Sequence, residues 1–441
     1  MRYRIFFLLI LILLNSCLKE NVGTVNSKDP TFVRYYNSGF TENPVCFEKT
    51  NDNGNIILST LTISPSANII LNSIKLTKTN DNGISVWNRT FPDVENDKIN
   101  YSASQLINLP NDGGYLIVGN DINIYSDGII NGINRDILVI VVDLEGNKQK
   151  SKTLKKDKFT TKPFGRSVPT YSYNIVGVSI NKRGNFVLVA TFENTTTPIN
   201  SQLFACELGS SDLEPVWNRY YNVEELNAKG NMMLDENDVI VYVANRLISD
   251  GNITGIRFMK IPQDYATVDY DLTLVESEYG TRSFNSTESD FCSVAGGYAI
   301  LGSSNKKLLN TGFVPSDHNV MFKLVSENGT EISTVTYSLD ENDNANDYGT
   351  AISPTTDGGF IILASVNSAS IEGRGELDYL IIKTDPFGNE QWRSTFGSRF
   401  DDVAVSIKQA NDGGYIILGT STQGGIVMTS LVKTDSHGKL Y

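Results

Sequence analysis

The stretch DYLIIKTDPFGNEQWRSTFGSRFDDVAVSIKQANDGGYIILG, residues 378–419, decides the fold. Asp378 to Thr384 is a run of β-branched and aromatic residues, the composition of a buried strand. Asp385-Pro386-Phe387-Gly388-Asn389 is turn chemistry: Pro presets φ, Gly accepts positive φ, and Asp and Asn bond their own backbone. Glu390 to Phe396 alternates, so Trp392, Ser394 and Phe396 share one face. Val403 to Ile407 is a short apolar strand, Asn411-Asp412-Gly413-Gly414 a hairpin signal, and Tyr415 to Leu418 another core strand. Four short antiparallel strands in about 55–60 residues make one sheet, too small to be stable without neighbours.

The turn recurs along the chain. NDNGNIIL carries Gly54, NDGGYLIV Gly114, NKRGNFVL Gly184, AGGYAILG Gly297, DGGFIILA Gly359 and DGGYIILG Gly414, with LDENDVIV at Asp238 a degenerate copy. Gly54 to Gly414 is 360 positions over six steps, a mean of 60. The outer strand recurs in step: Trp87, Trp217 and Trp392 each open a W-x-x-x-aromatic segment, and these are all three tryptophans of the chain. One repeat position for every Trp reads as packing between adjacent sheets. The last copy stops before its own such strand, while Phe32-Val33-Arg34-Tyr35-Tyr36-Asn37 is a surplus one that matches Arg219 to Asn222 at Arg34 to Asn37. The N-terminal strand is therefore expected to complete the final sheet and remove an exposed edge.

These segments resemble the β-propeller repeats of bacterial surface and secreted proteins, and are distantly similar to quinoprotein-like and WD40-like repeats. The resemblance implies an all-β, seven-bladed β-propeller of four-stranded antiparallel blades over 31–441, closed by the N-terminal strand. Seven units of about 60 need about 420 residues, and the chain beyond Cys17 supplies 424. Residues 224–274 depart most, lacking both the Gly-Gly turn and the Trp. The resemblance specifies fold and leaves function open.

Residues 1–16, MRYRIFFLLILILLNS, place two arginines before an apolar run, the pattern of a signal peptide. Leu14-Asn15-Ser16-Cys17 resembles the bacterial lipobox, which implies cleavage before Cys17, acyl chains (palmitate among them) on that residue, and anchoring in the outer membrane of the cell envelope. Residues 17–30 read as a lipidated, flexible tether. Cys46, Cys206 and Cys292 are isolated in apolar segments and read as buried free thiols, with no C-x-x-C for zinc or redox work. The net charge of −13, or −15 once Arg2 and Arg4 are removed, argues against nucleic acid as a partner. Only residues 222–230, NVEELNAKG, look mildly helical.

In propellers the first and third turns of each blade lie on one face. Here those turns are tight, whereas the second connections, at 120–135, 303–319 and 365–377, and the inter-blade segment 155–170 are long and unlike one another. Binding residues concentrate on such loops. Tyr125, Phe164, Phe313 and Phe400 are the aromatics there, read either as platforms for a sugar or peptide or as anchors packed on the blades.

No G-x-S-x-G, H-E-x-x-H, P-loop or dinucleotide fingerprint occurs, and only His318 and His437 are present. Thr79 to Gly83 approaches the Asp-box turn of sialidases, with Trp87 one residue late. Asp401 and Asp402 are tempting acids, but Asp347 and Asn100 open the same strand in other copies. Asp136 and Asp143 share their spacing with Asp378 and Asp385 and read as blade-stabilising. The expectation is a monomeric, non-enzymatic binding or scaffold propeller with no catalytic residue, metal or cofactor, whose partner is a glycan or an envelope protein. Two alternatives stand beside it: a carboxylate-dependent glycan hydrolase or lyase, and an envelope assembly scaffold.

Overall fold

The computed structural model describes residues 31–66, 69–92, 100–126, 131–156, 171–194, 202–223, 226–247, 253–262, 268, 270–273, 290–304, 319–337, 347–366 and 377–441. They form strands and turns, with no α-helix among the described residues. In chain order the strands are β1 (Phe32–Tyr36), β2 (Thr41–Lys49), β3 (Asn55–Ser66), β4 (Ile69–Thr79), β5 (Ser85–Phe91), β6 (Tyr101–Asn108), β7 (Tyr115–Ser126), β8 (Asn131–Val142), β9 (Lys148–Leu154), β10 (Tyr171–Ile180), β11 (Phe186–Asn194), β12 (Gln202–Leu208), β13 (Pro215–Tyr221) and β14 (Leu226–Leu234). They continue as β15 (Ile240–Leu247), β16 (Ile253–Ile261), β17 (Tyr270–Thr273), β18 (Asp290–Val294), β19 (Gly297–Ser304), β20 (Asn319–Ser326), β21 (Glu331–Tyr337), β22 (Asp347–Pro354), β23 (Phe360–Val366), β24 (Asp378–Thr384), β25 (Glu390–Phe396), β26 (Asp402–Gln409), β27 (Tyr415–Gln423) and β28 (Ile426–Thr434).

These strands build antiparallel sheets in a propeller ring. The inner strands follow one another round it: β2 packs beside β6, then β10, β14, β18, β22 and β26, and β26 returns to β2. β1 pairs with β28 from Phe32↔Lys433 to Tyr36↔Thr429, so the start of the chain supplies the outer strand of the last sheet. Phe32, Phe47, Ile57, Ile416, Leu418 and Leu431 form one buried cluster across that seam. Burying one such aliphatic side chain contributes about 1.5–3 kcal/mol, which is why small sheets gain stability by stacking.

The expectation of seven separate four-stranded blades is corrected. Among the described residues five are separate four-stranded sheets, and β6 to β13 form a single eight-stranded sheet. The join is one parallel pairing, Ser172↔Arg135, between β10 and β8. The same region explains it: residues 120–135, expected as a long loop, continue β7 and β8 as a paired ladder out to Ser126↔Asn131. Cross-strand pairing of Ile122, Ile124 and Ile133 there outweighs the abundance of Asn and Gly. The mildly helical 222–230 is likewise corrected, being strand from Leu226 onward. Residues 224–274 retain four strands, β14 to β17, with Asp238 (φ 58°) standing where other copies place glycine.

The glycine pair of the first turn has two separable reasons. Its first member, Gly358 or Gly413, has positive φ (86° and 88°). A β-carbon on its second member, Gly54, Gly114, Gly297, Gly359 or Gly414, would overlap the last carbonyls of the third strand, at Thr79, Val142, Val325, Thr384 and Thr434. In NDGGYLIV the second member, Gly114, meets both demands, with a φ of 89°, and in NKRGNFVL the positive-φ residue is Gly184, so that copy is offset by one.

Candidate functional site

The tight-turn face is built from three repeated devices. The first seats an outer-strand aromatic on the third-turn glycine of the next unit. A β-carbon on Gly83 would meet the Phe32 ring at 2.5 Å, one on Gly146 the Trp87 ring at 2.6 Å, and one on Gly438 the Trp392 ring at 2.5 Å. Arg34 and Arg89 lie over their own strand's ring at 5.2 and 5.3 Å. The second device joins a lysine at the end of the third strand to an aspartate of the first turn. Lys78 pairs with Asp52 at 2.8 Å, Lys383 with Asp357 at 2.9 Å, and Lys433 with Asp412. Sequence reading missed these lysines, although Lys-Thr at 78–79, 383–384 and 433–434 was a visible signal. In the third device Asp143, Asp235, Asp385 and Asp435 each accept two backbone N–H groups of their own turn at 2.7–3.0 Å.

A hydroxyl or amide on the second strand ties neighbouring units together. Thr60, Ser303 and Ser365 accept the N–H groups of Ala103, Gly349 and Ala404 at 2.9–3.0 Å, and Asn120 at the same position donates to the Tyr173 carbonyl at 2.7 Å. Pro44 occupies the corresponding place at the closing seam and has no N–H to give. There Glu42, almost wholly buried, takes over, bonding Lys75 at 2.6 Å and Thr429 at 3.0 Å.

The ring encloses a central cavity of about 390 Å³. Most inner strands carry a one-residue β-bulge just there, and the residues left out of the pairing are Val45, Ser104, Val176, Thr350 and Val405, all of which line the cavity. Asp290 is the acid in this lining. It accepts from Asn231 Nδ2 at 2.7 Å, Phe291 N at 2.9 Å and Ile352 N at 3.0 Å, and removal from bulk water pushes its carboxyl up.

On the face of the long connections two acid pairs stand at unit junctions. Asp121 lies directly opposite Asp136 across β7 and β8, and burial raises both carboxyls. Thr153 donates to Asp121 at 3.0 Å, and the Tyr171 hydroxyl to Asp136 at 2.6 Å. Asp402 is buried, accepts Ser398 N at 2.5 Å, and is raised by burial and, to a lesser degree, by the charge of buried Asp378. Phe400 is half-buried beside Arg399, whose guanidinium is 4.9 Å from the ring, and its N–H bonds Ser398 at 3.1 Å. Tyr125 is a β7 position paired with Gly132. Phe164, Phe313, His318 and Cys17 lie outside the described residues, as do all of 157–170, 305–318 and 367–376. His437 is exposed in its turn. Cys206 and Cys292 are buried free thiols, whereas Cys46 is partly open to the central cavity, with its thiol pushed up to about 12, chiefly by burial.

Between the first two units the tight-turn face opens into a second cavity of about 420 Å³, lined by Trp87, Tyr115, Asp52, Asp112, Leu144 and Glu145 among others. Asp52 is spent on Lys78, and Asp112 accepts Asn51 Nδ2 at 2.6 Å.

No family model matches the chain, and no curated protein does. Among solved structures it is similar to Trypanosoma rangeli sialidase in complex with the inhibitor DANA (9% identity, TM-score 0.46, 89% of this chain and 55% of that one). It is also similar to puromycin hydrolase (11%, TM-score 0.49, 86% and 50%). A third is Drosophila Plexin A in complex with Semaphorin 1b (8%, TM-score 0.47, 93% and 88%). The chain spans about half the length of the sialidase and hydrolase chains. Likeness this low carries no argument about activity.

Proposed function

We propose that this chain is a lipid-anchored, non-enzymatic binding propeller of the bacterial outer membrane. It presents a glycan- or protein-binding surface on the face that carries its long connections. The observation that most supports this reading is the employment of the repeated carboxylates. Asp143, Asp235, Asp385 and Asp435 hold turns closed, and Asp52, Asp357 and Asp412 hold third-strand lysines. The repeat invests its acids in the frame, and individuality is left to the connections. In this reading the eight-stranded sheet counts as two blade units, because their join is a single residue pair.

Two measurements test it. Palmitate labelling is expected in the wild type and lost in Cys17→Ala. Glycan-array binding and envelope cross-linking are expected to fall when residues 127–130 and 305–318 are both deleted. Binding that survives both deletions would overturn the assignment of the face.

One observation favours a second reading, a carboxylate-dependent glycan hydrolase or lyase. Asp121 and Asp136 face each other across β7 and β8, and burial raises both carboxyls, an acid pair of the kind that glycan cleavage employs. Turnover of a glycan substrate that disappears in Asp136→Asn, with the fold intact, would establish it. Absence of turnover across a glycan panel would leave the binding reading.

A further inference from the structure

The three tryptophans occupy one repeat position and live in three different environments. The Trp217 indole N–H donates to buried Glu207 at 2.6 Å. Trp392 touches Tyr415 edge-on, with ring centroids 5.7 Å apart. Trp87 and Tyr115 stand at the positions of Trp392 and Tyr415, yet make no ring contact with each other, and the cavity of about 420 Å³ opens where that contact would be. Among the described residues, neither the Trp87 indole N–H nor the Tyr115 hydroxyl has a hydrogen-bond partner. Tyr115 is buried in the core against which half-buried Trp87 packs, yet this junction leaves a cavity where the one at Trp392 closes ring on ring.

We propose that this groove binds a neutral saccharide, with a sugar ring against the Trp87 indole and its hydroxyls shared among Tyr115, Asp112 and Glu145. The volume lies in the range of small-molecule sites. The polar complement selects the chemistry. Thr50, Asn51 and Asn108 of the lining already donate to Asp52, Asp112 and the Lys49 carbonyl; beside them the Trp87 N–H and the Tyr115 O–H offer protons, and the carboxylates Asp112 and Glu145 accept them. A hydroxyl both donates and accepts, and so answers both kinds. An ammonium only donates, and would leave both protein donors unanswered. An anionic sugar meets the wrong sign, because the groove's ammonium groups are committed elsewhere: Lys78 to Asp52, and Lys49 to the Gln409 carbonyl at 2.9 Å and to Asn411. Burial, with the charges of Asp52 and Glu145, keeps the Tyr115 hydroxyl protonated up to about 12, so it remains a donor at any physiological pH. This groove lies on the tight-turn face and stands independently of the loop-bearing surface proposed above.

The test is titration of the purified protein, followed by tryptophan fluorescence and by saturation-transfer NMR. The panel is glucose, galactose, mannose, N-acetylglucosamine and their disaccharides, with sialic acid as the anionic control and trimethyl-lysine as the cationic one. A neutral sugar is expected to bind and both controls to fail. Trp87→Ala should weaken binding about tenfold, by loss of a stacking contact. Tyr115→Phe should weaken it about three- to tenfold. Trp392→Ala should leave it unchanged. Should Trp87→Ala not fold, exposed Glu145→Gln replaces it, with the same direction expected. Binding of no neutral sugar, preference for either control, or equal losses in the Trp87 and Trp392 variants would each overturn the proposal. Loss of binding on deleting 127–130 and 305–318, with no effect of Trp87→Ala, would overturn it while leaving the loop-face reading intact.

Discussion

The Phe32 ring lies over Gly83 so closely that a β-carbon there would stand 2.5 Å from Cε2, and the Tyr36 hydroxyl bonds the Gly83 carbonyl at 2.7 Å. One five-residue strand thus holds the beginning of the chain to both the last sheet and the first. Phe32→Ala is expected to cost about 3–5 kcal/mol in denaturant unfolding. Gly83→Ala combines this overlap with a φ of +70° and should be comparably damaging. A change under about 1 kcal/mol for Phe32→Ala would mean the seam is held by something other than this ring.

The two turn glycines should respond differently to a methyl group. Gly358→Ala has only Pro386 within reach, at 3.8 Å, and carries mainly the cost of positive φ, about 1 kcal/mol. Gly359→Ala drives its methyl into the Thr384 carbonyl and should cost more than about 2 kcal/mol. Equal melting temperatures for the pair would contradict the division of labour.

Ser365 is buried and accepts the Ala404 N–H from the next inner strand at 2.9 Å. Ser365→Ala leaves that donor without its partner, and the expected loss is about 1–3 kcal/mol. Hydrogen exchange at Ala404 should quicken before exchange in the rest of β26 does. Unaltered protection there would show that water replaces the hydroxyl.

Acid should loosen the lysine–aspartate ties in a defined window. The Asp357 carboxyl is held at about 2, first by the Thr355 hydroxyl and then by Lys383 and the Gly359 N–H, against its partial burial. Asp52 is also near 2: partial burial pushes it up, and bonds from Lys78, Thr50 and Gly54 outweigh that push. A carboxyl with a folded pKa below its unfolded value of about 4 contributes stability that is whole above pH 4 and is lost as pH falls toward 2. Thermal midpoints should therefore drop across that interval, and Asp357→Asn should flatten the drop. Both carboxylates are more than half exposed, so added salt should make the drop shallower. An acid limb identical in wild type and Asp357→Asn would remove these ties from the account.

The frame was legible in the sequence wherever a residue type answers a backbone demand. The Gly-Gly pair, the Asp caps and the Phe32 to Asn37 match all belong to local chemistry, and local chemistry repeats. What depended on partners distant in sequence was hidden. Polar, glycine-containing 120–135 read as a loop because its pairing is set by cross-strand neighbours, and Asn and Gly are poor strand formers by themselves. The bulges at Val45, Ser104, Val176, Thr350 and Val405 leave no mark in composition, since any of these residues sits equally well in a regular strand. Trp87 and Trp392 are alike in sequence. Only three dimensions show that the Trp392 ring meets its tyrosine, whereas the Trp87 ring, seated on Gly146 and beside Arg89, leaves a cavity next to Tyr115.

The Thr31 hydroxyl and the Tyr441 backbone bond each other at 3.1–3.2 Å, so the first and last described residues leave the ring from one corner, on the tight-turn side. A leash attached at Thr31 would turn that side toward whatever it is moored to and swing the opposite rim outward. A reporter fused after Tyr441 would ride next to the mooring. In the lipid-anchored reading proposed above, quenching of such a reporter by a dye in the bilayer would read out which way the ring hangs.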